Sequence, residues 1–285
     1  MTTIHERVAA ARQQLRNAGI SVDESDLDAR LLAECILGWD AAQFFTSADG
    51  QEPDGFQAAY QRLVERRVQR EPIAYITGRQ EFWDLAFEVS PCVLIPRPET
   101  ELIVEAALQL FPSPADALAI ADVCTGSGIL AVALACERST ARVIATDISE
   151  IALDVARRNA ERHGVAGRIE FVRGDLIDPV PDPVDLIVCN PPYVATRDRT
   201  GLQPEVGKYE PEIALFGGSD GLQIITRLVD RAPTRLRVGG YLIFEFGFGQ
   251  DEAIESLVGN AAGLRLLELR RDLQGIARTA VAERV

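Results

Sequence analysis

With 285 residues, 47% of them hydrophobic, the chain is long enough to bury a sizeable core and to divide into two domains. A net charge of −14 opposes nucleic acid as a direct ligand, because phosphate contacts dominate that affinity, and fits a protein substrate better. Two distant histidines, five scattered cysteines without a C-x-x-C pair and no apolar run near the roughly 18 residues of a membrane span imply no metal, no disulfide and no membrane.

The first residues, Met1-Thr2-Thr3-Ile4-His5-Glu6-Arg7, lack a signal-peptide core, so a cytoplasmic protein is expected. Helices are expected over 3–17, over 24–37 with Leu27, Leu31, Leu32 and Ile36 on one apolar face, and over 54–70. Gly38 suits the end of the second helix, and 48–53 has turn chemistry. These segments make residues 1–75 a small helical domain. Arg66, Arg67 and Arg70, interspersed with Glu65 and Glu71, read as a solvated helix face. Over 76–97, Phe82, Trp83 and Phe87 among polar residues and turn signals indicate a connecting β-hairpin. A further helix should open at Pro96-Arg97-Pro98-Glu99-Thr100-Glu101, with proline and acids in its first turn, and run to Leu110.

From Ala117 strands and helices alternate, so residues 98–285 should form a mostly parallel, doubly wound sheet, closed by two strands near 264–269 and 277–282 whose close spacing implies one antiparallel strand. The strand 117–123 ends in the turn Cys124-Thr125-Gly126-Ser127-Gly128, followed by an Ala/Leu-rich helix whose free N–H groups face the space above the sheet. Asp147, about 20 residues past that turn at the end of 142–146, is suited to two ribose hydroxyls. After 169–172, Asp175 could accept from an adenine amino group and Leu176 could pack on the ring. Gly126 to Ala131 also fits the dinucleotide pattern G-x-G-x-x-A, which keeps a nicotinamide enzyme in view. Asp122 argues otherwise: a carboxylate near the cofactor head would repel a pyrophosphate but suit the ammonium of S-adenosylmethionine.

The apolar run 184–189 reads as a buried strand, and Asn190-Pro191-Pro192-Tyr193 follows it at the carboxyl end, where open α/β sheets hold ligands. Each proline fixes its own φ and keeps the residue before it extended. The Asn190 side-chain oxygen and the Pro191 carbonyl can then accept two hydrogen bonds from one planar NH2 group while the Tyr193 ring covers its face. Such a cradle favours a pyramidal, attacking nitrogen through positioning and oriented dipoles, with no histidine required.

Together these segments resemble the peptide-chain release factor glutamine methyltransferases, the PrmC or HemK family. The resemblance spans nearly the whole chain and rests on Ala29-Arg30-Leu31-Leu32, Pro72 to Gly78, Leu94 to Glu101, Asp122 to Gly128, Asn190 to Tyr193, Tyr209-Glu210-Pro211 and Ala214 to Leu222. It implies a helical substrate-recognition domain beside a seven-stranded Rossmann-like methyltransferase domain. It also implies methyl transfer from S-adenosylmethionine to the glutamine amide in the Gly-Gly-Gln motif of class 1 release factors, by a monomer. Residue by residue, it puts the cofactor on Cys124, Thr125, Gly126, Ser127, Gly128, Asp147, Leu176 and Asn190, and the glutamine on Asn190 to Tyr193, with Arg97 and Glu99 at the mouth of the site or in a helix-start salt bridge. Cys124 departs from the family pattern, which has glycine there. Another protein glutamine, as in a ribosomal protein, or adenine in DNA are the alternative acceptors, and a non-catalytic module that recognises release factors is the alternative class.

Overall fold

The computed structural model describes residues 2–181 and 183–285; Met1, part of the N-terminal stretch read above, and Asp182 lie outside the described residues. The chain divides into two compact units, one running up to Arg79 and including Gln203–Tyr209, the other formed by Gln80–Leu202 and Glu210–Val285.

The first unit is helical: α1 (Ile4–Asn17), α2 (Val22–Leu37), α3 (Ala41–Ser47), α4 (Phe56–Val68) and α5 (Ile73–Thr77). Thr3, Ser21 and Asp40 start the first three with reciprocal capping boxes, in which the cap side chain and the third helical residue satisfy each other's free N–H groups. Gly38, in the left-handed region, ends α2. The buried stripe of α2 is Ser25, Asp28, Ala29, Leu32 and Ala33, while Leu27 is exposed. Periodicity put Leu27 inward because it could not know that a carboxylate would take the buried face.

Asp28 can do so because Arg67 of α4 reaches it at 2.7 Å. Arg67 is itself buried, donates at 2.8 Å to Glu205 of the short helix Pro204–Tyr209, and shares that carboxylate with a bidentate Arg70 at 2.6 and 2.8 Å. The expected solvated arginine face is therefore only part of the story: Arg66 pairs with Glu71 near the surface, whereas Arg67 and Arg70 are internal partners of acids distant in sequence. Burial pushes the Glu205 carboxyl up, but hydrogen bonds from Arg70 and Arg67 outweigh it and hold Glu205 down at about 2.

The second unit opens with the hairpin β1 (Arg79–Phe82) and β2 (Leu85–Glu88), joined by Trp83 and Asp84, both at positive φ as a tight primed turn requires. Pro98–Thr100 forms a 3-10 turn leading into α6 (Glu101–Leu110), and the sheet follows: β3 (Ala119–Val123), α7 (Ile129–Glu137), β4 (Arg142–Asp147), α8 (Glu150–Arg162), β5 (Ile169–Arg173) and β6 (Val184–Cys189). After α9 (Pro204–Tyr209), which belongs to the first unit, come α10 (Glu212–Leu215), α11 (Gln223–Arg231), β7 (Leu236–Glu245), α12 (Asp251–Asn260), β8 (Leu264–Arg271) and β9 (Ala277–Arg284). Pro233, which has no N–H to donate, closes α11 in a 3-10 turn at Ala232–Thr234.

The seven strands lie in the order β5-β4-β3-β6-β7-β9-β8, all parallel neighbours except for β9, which runs antiparallel to β7 and β8. Apolar side chains pack on both faces, so β3 and β6 are buried on each side, as their hydrophobic runs, each interrupted by a single aspartate, led one to expect. Chain order reverses between β3 and β6: β4 and β5 extend to one side and β7 to the other, which leaves a crevice at their carboxyl ends.

Glu205→Gln should destabilise the protein by roughly 1–3 kcal/mol at pH 7, since it leaves two guanidiniums short of their anion in a partly buried place. A carboxylate held below its ordinary value stabilises above that value, so the difference from wild type should shrink as pH falls from 4.5 toward 2. Urea midpoints at pH 7 and pH 3 check this, and coincident midpoints at pH 7 would contradict it.

Candidate active site

Val123 and Cys189 are paired across β3 and β6, so the residues after them, Cys124 and Asn190, leave the sheet side by side. A cavity of about 220 Å³ opens there, with room for a small molecule rather than a few waters. Its walls bring together Cys124, Thr125, Gly126 and Ser127 from the turn after β3, Asp147 after β4, Asp175 and Leu176 after β5, and Asn190 and Pro192 after β6. Gly128, Asp122, Pro191, Tyr193, Arg97 and Glu99, also read from the sequence as site residues, are not in its wall.

The turn is held from below. Asp122 is fully buried, accepting from the Thr125 hydroxyl at 2.5 Å and from the Ala131 N–H at 3.0 Å. Its other oxygen, Oδ1, is buried with no hydrogen-bond partner among the described residues. Asp122 thus sits under the loop, a position the sequence reading missed because strand periodicity does not distinguish an acid facing the cavity from one supporting it. Burial pushes its carboxyl up to about 7, against the two hydrogen bonds that lower it. Gly128 begins α7 at φ 85°, with Ala156 only 3.0 Å from where a Cβ would stand. Cys124 holds a left-handed φ of 61°, a conformation that glycine would adopt more cheaply.

Asp147 accepts from the Gly126 N–H and the Ser149 N–H, both at 2.9 Å, so its carboxylate is fixed at the cavity edge. Leu176, also at positive φ, is anchored by its carbonyl, which accepts from Thr146 at 2.8 Å. Asp175 is paired with Arg227 of α11, which also lines the cavity. An adenine amino group would therefore have to share or displace that guanidinium. All five cysteines are free, and burial, then the neighbouring Cys124 thiol, pushes the Cys189 thiol well up, which makes it a poor nucleophile.

Starting from Ala214 in the cavity wall, the run to Leu222 clamps the exit of the Asn190 segment. Val194 N–H donates to Leu215 at 2.9 Å, Gly217 N–H to Val194 at 3.0 Å and Thr196 N–H to Gly218 at 2.9 Å. A Cβ on Gly221 would lie 2.2 Å from the Tyr193 carbonyl, so only glycine lets the two backbones approach. Arg97 bonds to Glu210, not to an acid of its own helix start; burial raises that carboxyl and Arg97 lowers it. Behind Asn190, its Nδ2 donates to Thr100 at 2.9 Å, Thr100 donates to Glu245 at 2.6 Å, and the Tyr193 hydroxyl donates to the same carboxylate at 2.8 Å. Thr100 stands within the conspicuous run from Arg97 to Glu101, but Glu245 gave no signal, being one acid at the end of an apolar strand.

A nucleotide-like crevice, an anchored acid at its rim and a rigid Asn-Pro-Pro-Tyr exit narrow the possibilities, and comparison with known proteins decides among them. Residues 6–78 match the PrmC N-terminal domain and residues 101–203 the methyltransferase small domain. The chain is 40% identical over 285 residues to a release factor glutamine methyltransferase of Coxiella burnetii, covering 100% of both chains. It is 45% identical over 234 residues to one from Geobacter sulfurreducens, covering 82% of this chain and 81% of that one. The chain belongs to the release factor glutamine methyltransferase family. Solved structures agree on the fold alone: a ribosomal protein L11 methylase from Lactobacillus delbrueckii subsp. bulgaricus (TM-score 0.50, 23% identity, 69% of this chain and 83% of that one) and a T. thermophilus 16S rRNA methyltransferase with AdoMet and guanosine (TM-score 0.51, 19% identity, 73% and 50%). Within this family fold, no helix among the described residues is long and apolar enough to cross a membrane.

Because the folded-state value of Asp122 lies above its ordinary 3.8, the native protein binds more protons than the unfolded chain between 3.8 and about 7. Stability of the protein alone should fall across that window as pH rises, by on the order of a few kcal/mol at most from this group. Asp122→Asn should flatten the slope; thermal melts at half-unit pH steps measure it, and an unchanged slope would refute the assignment.

Proposed function

We propose that this protein transfers a methyl group from S-adenosylmethionine to the side-chain amide nitrogen of the glutamine in the Gly-Gly-Gln motif of class 1 release factors. It would act in the cytoplasm as a monomer, on protein rather than directly on nucleic acid, in support of translation termination. The observation that carries this reading is the adjacency of Cys124 and Asn190 at the β3/β6 switch point, in a chain of this family.

The residues present fit the cofactor. The fixed carboxylate of Asp147 suits a pair of ribose hydroxyls, Leu176 and Ile148 offer apolar surface for a base, and Asp122, buried beneath the turn, holds the loop that would meet them. When bound, S-adenosylmethionine supplies a methyl group on a positively charged sulfur. Asn190 and the Pro191 carbonyl accept the two amide N–H groups, and Tyr193, its hydroxyl tied to Glu245, fixes its ring beside them. As positive charge grows on the attacking nitrogen, two oxygen dipoles held by the rigid exit would face it without solvent having to reorient. The nitrogen would lose one proton, to water, and gain the methyl carbon as the bond from that carbon to sulfur breaks, leaving the neutral thioether S-adenosylhomocysteine. No thiol or imidazole takes part.

Asn190→Ala should lower the rate by about two to three decades, the scale for losing one preorganised polar partner, with little change in cofactor affinity. Mass spectrometry of a release factor treated with wild-type enzyme should place one added methyl group, 14 Da, on the glutamine of the Gly-Gly-Gln motif. A ribosomal protein or adenine-containing DNA accepting the methyl instead would redirect the substrate reading; an unaltered rate in the variant would remove Asn190 from it.

A further inference from the structure

A carboxamide has two ends of nearly equal size, and only its oxygen can accept from a substrate NH2 group. Something must therefore decide which end of Asn190 faces the site. Thr100, fully buried in the 3-10 turn before α6, has a single hydroxyl proton, and at 2.6 Å that proton is committed to Glu245. Its oxygen can then only accept from Asn190, 2.9 Å away, which draws the NH2 end of Asn190 inward. Glu245, fully buried at the end of β7, accepts the Tyr193 hydroxyl on its second oxygen at 2.8 Å, so both of its oxygens are used as acceptors.

We infer that Glu245 and Thr100 are positioning residues that polarise this chain of hydrogen bonds and thereby hold the Asn190 oxygen toward the amide being methylated. This rests on Asn190 accepting from the substrate, as proposed above. The order of donors matters more than the bonds themselves. If residue 245 could donate, the Thr100 proton would be free to turn toward Asn190, the amide would rotate, and two NH2 groups would face each other in the site. The same carboxylate also holds Tyr193, so one buried anion sets both sides of the Asn-Pro-Pro-Tyr exit.

The test uses the full chain, a release factor as substrate and AdoMet as donor, with kcat, KM and AdoMet affinity measured for Thr100→Val, Thr100→Ser and Glu245→Gln. Thr100→Val and Glu245→Gln should each lower kcat by about 10- to 100-fold while AdoMet affinity and the KM for the release factor change by less than about threefold. Thr100→Ser, which keeps the hydroxyl, should stay within about threefold of wild type in kcat. Adding Thr100→Val to Asn190→Ala should cost nothing further in single-turnover rate, because the positioned group is already gone. Wild-type kcat in Glu245→Gln, or a full additional loss in the double variant, overturns the inference; should Thr100→Val fail to fold, as lost AdoMet binding would show, the Glu245→Gln result decides alone. Failure of the wild-type protein to methylate the release factor would instead strike the underlying functional reading.

Discussion

The pairing of Val123 with Cys189 is the constraint on which the site depends. Two strands separated by sixty residues of sequence (124–183) end at the same level because parallel register locks them together, and β4 and β7 extend from them in opposite directions. Everything that touches the crevice is displayed from those strand ends. A slip of one residue in either strand would reverse its inward and outward side chains and carry Cys124 and Asn190 out of alignment. The double-sided burial of β3 and β6 makes such a slip costly, which is how a hydrophobic core fixes the placement of polar chemistry.

Around this pairing the molecule places buried acids with care. Asp122 props the turn after β3, Glu245 supports the exit from β6, Glu210 receives Arg97, and Glu205 is gripped by two arginines. Each is a carboxylate in a setting that raises its cost of ionisation, and each is matched by donors that answer part of it. Where the match is generous, as at Glu205, the group is held strongly ionised; where an oxygen is left over, as at Asp122, the group is pushed the other way.

A glycine-dense stretch away from the turn after β3 serves the same end by a different route. The segment from Ala214 to Leu222 makes no charge contact with Asn190; it works because Gly221 allows its backbone against the Tyr193 carbonyl. Two prolines set the direction of the exit segment, and the neighbouring strand-like contacts at Val194 prevent it from swinging.

The sequence alone determined the strand and helix alternation, the single antiparallel strand and the part of the crevice lining that follows strand ends, such as Cys124, Asp147, Leu176 and Asn190, because these follow from periodicity, turn chemistry and the stiffness of proline, all of them local; Arg227 and Ile224 of α11, which complete the wall, gave no such signal. It could not determine which acids face a ligand and which support a loop, nor that Leu27 would be exposed so that Asp28 could meet Arg67. Nor could it give Thr100 and Glu245 their relation to Asn190, since that depends on three segments lying 145 and 90 positions apart meeting within hydrogen-bond distance. Hydrogen-bond direction is a property of assembled neighbours: a hydroxyl has no preferred partner until the fold supplies one that can only accept.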